Sequence, residues 1–120
     1  MKKVLIIEDN EDNLYMLQFI LEKNSYEVIS ARTGTLGYEM ALNEKLDFIL
    51  MDIQLPDING MDVTRKIRAS KIGNSIPIIA VTSYAMTGDR ERALEAGCTG
   101  YIEKPINPET VMDEIHAIVN

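Results

Sequence analysis

Cysteine occurs once in the 120 residues, at Cys98, so no internal disulfide can form and the fold must be held by packing. Positive charge is scarce: 12 Lys and Arg stand against 19 Asp and Glu, giving a formal charge of −7. That balance opposes attraction to nucleic-acid phosphate or an anionic membrane, and neither is expected as a partner. Long apolar runs are missing too. Met1-Lys2-Lys3 is followed by only four apolar residues, too few for a signal peptide or a membrane span, so the expected compartment is the cytoplasm. The chain also lacks a linker, a low-complexity segment and an internal sequence repeat. Residues 1–120 are therefore expected to form one domain, large enough to bury roughly two thirds of its unfolded surface.

What the chain does have is a set of short, uniformly apolar runs that end in polar residues. Asp47-Phe48-Ile49-Leu50-Met51-Asp52 is the central one. A half-exposed strand would alternate, whereas this run reads as a strand buried on both faces, in the middle of a parallel sheet. Residues 4–7 form a similar run ending in Glu8-Asp9, 76–81 another ending in Thr82-Ser83, and 100–103 a short last strand leading into Lys104-Pro105. Residues 27–31, rich in β-branched side chains, supply strand two.

Helices are expected between the strands. Residues 12–23 carry Leu14, Leu17 and Leu21 on one line, and 35–45 carry Leu36, Met40 and Leu42, with Gly37 a weakness of about 1 kcal/mol. Residues 61–70 bury Val63 and Ile67 and leave Arg65, Lys66 and Arg68 in solvent. Residues 89–96 stop at Gly97, and Asn107-Pro108 opens a helix that runs to Val119. Strict βα alternation predicts an α/β fold: a five-stranded parallel sheet, doubly wound, with right-handed crossovers.

In a parallel sheet all strand ends share one edge, where ligands bind in open α/β folds. That edge gathers Glu8, Asp9, Asp52, Thr82, Ser83 and Lys104. Three close carboxylates repel unless a multivalent cation lies between them, and oxygen donors without His or Cys suit Mg²⁺. Lys104 and the hydroxyls are more than a metal needs. A metal, a fixed cation and a hydroxyl around one carboxylate suit a phosphoryl group, with Asp itself as the nucleophile.

The residues that carry this chemistry resemble the receiver domain of two-component response regulators along the whole chain. The likeness rests on Ile7-Glu8-Asp9-Asn10, on Met51-Asp52-Ile53-Gln54-Leu55-Pro56-Asp57-Ile58-Asn59-Gly60, on Ala80-Val81-Thr82-Ser83 and on Tyr101-Ile102-Glu103-Lys104-Pro105. It implies the flavodoxin-like strand order 2-1-3-4-5. It implies that Asp52 takes phosphate from a sensor histidine kinase or a histidine phosphotransferase, and that Asp9, Asp52 and the Gln54 carbonyl bind Mg²⁺ with Glu8 assisting through water. It further implies that Thr82 contacts the phosphoryl group, Lys104 pairs with it, Tyr101 changes rotamer as a switch, and a downstream protein reads the result. The Lys104-Pro105 bond is expected to be cis. Glu8 departs from the family, where many members have Asp. Ser83-Tyr84-Ala85-Met86-Thr87-Gly88-Asp89-Arg90 and Ala96-Gly97-Cys98 are similar to receivers of hybrid kinases and stand-alone cell-division regulators.

Helix one is more apolar than one buried stripe requires, because Tyr15, Met16, Phe19 and Ile20 lie off the leucine line. Either the helix is wedged between the sheet and neighbouring helices or part of that surface docks a partner; in the family the kinase or phosphotransferase docks nearby, which makes Tyr15 a candidate docking residue. His116 reads as a surface histidine rather than a phosphorelay one, and Cys98 as a small packed residue. Tyr84, two after Thr82, reads as a shield against hydrolysis. The competing class is a Mg²⁺-dependent aspartyl-phosphate phosphatase or phosphotransferase. Such enzymes place the nucleophile as Asp-x-Asp after strand one; here the candidate follows strand three and no Asp-x-Asp occurs. Flavin binding is weaker still, because the loop after Ile7 offers carboxylates where a phosphate cradle needs donors.

Overall fold

Uniformly apolar runs become interior strands because both their faces are covered. In the computed structural model, which describes residues 1–71, 73–83 and 88–119, β3 (Phe48–Asp52) and β4 (Ile78–Thr82) are buried at every position. β3 lies between β1 (Lys2–Ile7) and β4, with β2 (Tyr26–Ala31) and β5 (Gly100–Glu103) at the margins. All pairings are parallel and the order is 2-1-3-4-5. The helices are α1 (Glu11–Lys23), α2 (Gly34–Asn43), α3 (Gly60–Ala69), α4 (Asp89–Ala96) and α5 (Val111–Val119). Tyr84 lies outside the described residues.

Alternation along each strand sends side chains to opposite faces, and two apolar clusters result. Val4, Ile6, Phe48, Leu50, Ile79 and Val81 meet α1 and α5 through Leu17, Leu21, Val111 and Ile115. Leu5, Ile7, Ile49, Met51, Ile78 and Ala80 meet the other helices through Ala41, Val63, Ile67 and Ala93. The sheet is thus doubly wound, as the alternation of elements predicts.

Several helix details differ from the sequence expectations. The buried side of α2 is Gly34, Gly37 and Ala41, while Leu36 is 45% exposed. A Cβ on Gly37 would sit 2.5 Å from Ile7 Cδ1, so the glycine that weakens the helix also lets it lie close on β1. Arg68 is not solvated: its Nε donates to Gly97 O at 2.8 Å and its Nη1 to Gly73 O at 2.8 Å. This ties the end of α3 to the α4–β5 turn. His116 is half-buried, with Nε2 3.4 Å from the Tyr26 hydroxyl. The helix expected from Asn107 starts at Val111, because Asn107 first caps a separate turn. Its Oδ1 accepts from Glu109 N at 2.9 Å and its carbonyl from Thr110 N at 3.1 Å. Pro77 precedes β4 rather than opening it, and its carbonyl accepts from Ile49 N at 2.9 Å. The Lys104-Pro105 peptide is cis.

Candidate functional site

The neighbouring ends of β1 and β3 bring Glu8 and Asp52 to the same edge of the sheet, with Ile7 beside Met51 in register. Both carboxylates are buried, Glu8 at 2% exposure and Asp52 at 5%. Burying carboxylates is unfavourable unless charge or hydrogen bonds offset it, and the offset comes from the far end of the chain. Lys104 Nζ lies 3.1 Å from Glu8 Oε1 and 3.4 Å from Asp52 Oδ1. The lysine is aimed from the end of β5, where its N–H donates to Thr82 O at 2.8 Å. Two amides add to the offset: Asn10 N donates to Glu8 Oε2 at 3.2 Å, and Gln54 N to Asp52 Oδ1 at 3.1 Å.

One ammonium does not balance two buried acids. Burial first, and then the adjoining Asp52 carboxylate, push Glu8 up to about 7. A pocket of hard oxygen donors with negative charge left over is suited to a divalent cation such as Mg²⁺. The expected trio of carboxylates is not assembled, however. Asp9 lies exposed just past β1, and among the described residues no three Asp, Glu, His or Cys side chains gather as a metal-holding group. What meets Glu8 and Asp52 is the Lys104 ammonium. The Asp9 backbone carbonyl accepts from Arg32 Nη2 at 3.2 Å, and Arg32 Nη1 lies 3.8 Å from Glu11 Oε1.

The other expected site residues fall at or near the same edge. Thr82 ends β4 and is 3% exposed, one position on from Val81, the register partner of Asp52. Tyr101 is half-buried on β5 opposite Ala80 and packs against the α2–α3–α4 cluster. Gln54 is exposed in the loop after β3. Tyr15 is apart from this edge chemistry, on the outer side of α1, where it is 74% exposed and Phe19 is 54% exposed.

Two residues to which sequence reasoning assigned no role hold the loop that carries Gln54. Gly60 opens α3 directly against the end of β3: a Cβ there would strike Asp52 O and stand 2.8 Å from Ile53 Cα. Its N–H donates to Ile53 O at 2.8 Å, closing the neck of the loop that follows Asp52. Asp57, at the tip of that loop, binds the start of α2. In sequence Gly60 is indistinguishable from a turn glycine after Asn59, and Asp57 from a loop acid after a proline.

A doubly wound parallel sheet with an acid pair and a lysine at its carboxyl edge places the chain in the class of open α/β proteins, whose ligands bind at the strand ends. Within that class, the chain belongs to the response regulator receiver domain family, whose model matches residues 4–116. It is 41% identical over 114 residues to the polar-differentiation response regulator DivK of Brucella ovis, covering 95% of this chain and 93% of that protein. Among solved structures it is similar to the receiver domain of a sensor histidine kinase from Pseudomonas aeruginosa, determined with a magnesium ion coordinated in the active-site cleft. That match has a TM-score of 0.89 and 34% identity over 98% of this chain and 97% of the other. The chemotaxis protein CheY4 of Vibrio cholerae superposes with a TM-score of 0.93 at 26% identity, over 98% of both chains.

Proposed function

We propose that residues 1–120 form one phosphorylation-activated switch of a cytoplasmic phosphorelay, acting by binding other proteins rather than by turning over a small substrate. Asp52 is the phosphoacceptor. Its carboxylate oxygen attacks the phosphorus of a phosphohistidine on a sensor histidine kinase or histidine phosphotransferase. The O–P bond forms as the N–P bond breaks, and the bonding pair stays on the imidazole nitrogen. Catalysis is then mostly positioning and charge neutralisation.

The observation that carries this reading is the buried Glu8–Asp52 pair bridged by Lys104 Nζ at 3.1 and 3.4 Å. Lys104 neutralises charge on the transferring group, and the Thr82 hydroxyl donates to a phosphoryl oxygen. Asp9, Asp52 and the Gln54 carbonyl would hold Mg²⁺, with Glu8 assisting through water; when bound, the ion supplies further neutralisation of the phosphoryl oxygens. Thr82 drawn to the phosphoryl group lets Tyr101 turn inward and alters the surface of α4, β5 and α5, which a downstream protein reads. The exposed Tyr15 and Phe19 on α1 support that helix as the docking face for the phosphodonor. No helix among the described residues is long and apolar enough to cross a membrane.

The test is Asp52→Asn, which keeps shape and removes the nucleophile. Labelling by acetyl phosphate or a phosphorylated kinase should vanish while circular dichroism stays unchanged. An acid-stable label persisting on the variant would sink the assignment.

A further inference from the structure

The loop between Ile53 and Gly60 carries Gln54, and it is held at two places. Its neck is closed by the Gly60 N–H donating to Ile53 O at 2.8 Å. Its tip is tied by hydrogen bonds from the start of α2 to the side chain of Asp57. Asp57 Oδ1 accepts from Gly34 N at 2.8 Å, and Oδ2 accepts from Thr35 N at 2.9 Å and from the Thr35 hydroxyl at 2.6 Å. We infer that Asp57 is a positioning residue: by latching this loop to α2 it sets where the Gln54 carbonyl lies, and so sets the affinity of the Asp52 site for Mg²⁺.

Three short bonds to one exposed carboxylate are more than a loop acid needs for solvation. The donors are the first amides of α2, which have no partner inside the helix, and the helix dipole adds to their pull on an anion. The Thr35 hydroxyl first, and then the amides of Thr35 and Gly34, hold Asp57 down at about 2. The helix does not need Asp57 as its N-cap, because Thr33 Oγ1 already accepts from Leu36 N at 3.2 Å. The apolar side of the same junction is closed as well. A Cβ on Gly34 would collide with Ile58 Cγ2 and come within 2.9 Å of Val63 Cγ2. The carboxylate bonds and the tight Gly34–Ile58 approach therefore fix the loop tip against α2 from two sides. A loop pinned at neck and tip leaves Gln54 little freedom between them. A freed tip would spread the carbonyl over many orientations, few of which face Asp52, and ion binding would have to order it at an entropic cost.

This inference rests on the proposed Mg²⁺ and phosphoacceptor role of Asp52, and the experiment separates the two. Wild type, Asp57→Ala, Asp57→Asn and Thr35→Val are titrated with MgCl₂ by NMR, and amide exchange is measured in Mg²⁺-free buffer. Labelling by acetyl phosphate is then followed at saturating Mg²⁺. Asp57→Ala should weaken Mg²⁺ binding about 10-fold, as loss of a residue that orients a ligand does. Exchange at Gly34 and Thr35 should accelerate. The labelling rate at saturation should stay within about twofold of wild type, because Asp57 does not touch the reacting atoms. Asp57→Asn keeps one carbonyl acceptor and should restore part of the affinity, with Thr35→Val between it and wild type. Unchanged Mg²⁺ affinity in Asp57→Ala, alongside faster exchange at Gly34 and Thr35, overturns the latch and leaves the Asp52 reading standing. A wild-type chain whose Asp52 and Gln54 amides ignore Mg²⁺ overturns both.

Discussion

Glu8 is where electrostatics and function meet at the scale of a single side chain. Its carboxyl is pushed from 4.5 up to about 7 by burial and by Asp52, even with Lys104 at 3.1 Å. Because the folded value lies above the unfolded one, the folded chain binds more protons between the two. The associated stability is present below pH 4.5 and lost as pH rises through 7. In chelator, wild type should therefore lose stability between pH 5 and pH 8, by on the order of 1–3 kcal/mol. Glu8→Gln should flatten that slope; urea melts at the two pH values are the check, and equal slopes in both proteins would contradict it. That Asp52 and Lys104 reach one edge of the sheet was legible in the sequence, because Asp52 ends an apolar strand and Lys104 directly follows the last one. That Lys104 also bridges to Glu8 was not, since sequence shows which residues reach an edge but not their mutual distances.

At the scale of elements, the three inner strands were plain from their continuous apolar runs, while helix ends and helix faces were decided by tertiary contacts. The leucine line of α1 did bury Leu17 and Leu21, but α2 turned its small residues inward, because the gap above Ile7 admits no more than a glycine. Propensity scores Gly37 as a defect; close packing makes it a fit. Gly60 shows the same conflict nearer the chemistry. Replacing a helical glycine by alanine ordinarily adds about 1 kcal/mol of stability. Here the added methyl meets the backbone of Asp52 and Ile53, which cannot rotate away as a side-chain tip can. Gly60→Ala should therefore destabilise by roughly 1–3 kcal/mol and move the Asp52 amide resonance. A variant more stable than wild type in urea would show that the neck of the loop is looser than this packing requires.

For the whole molecule, the two apolar clusters lie on opposite faces of one sheet and share β1, β3 and β4. Neither face can separate without exposing the other, so a ligand held at the strand ends should stabilise the chain as a unit. Mg²⁺ at 100 times its dissociation constant would add about 2.7 kcal/mol. For a domain of this size that is a rise of roughly 10 °C in melting temperature. The ion competes with a proton for the same excess charge, because Glu8 titrates near 7. The rise should accordingly be large at pH 8, where Glu8 is ionised, and much smaller at pH 5. Asp52→Asn, with one carboxylate gone, should show little rise at either pH. Calorimetric melts with MgCl₂ and with chelator decide it. An equal rise in wild type and Asp52→Asn would mean that the ion acts elsewhere on this acidic surface, and that the buried pair at the ends of β1 and β3 is not what draws it.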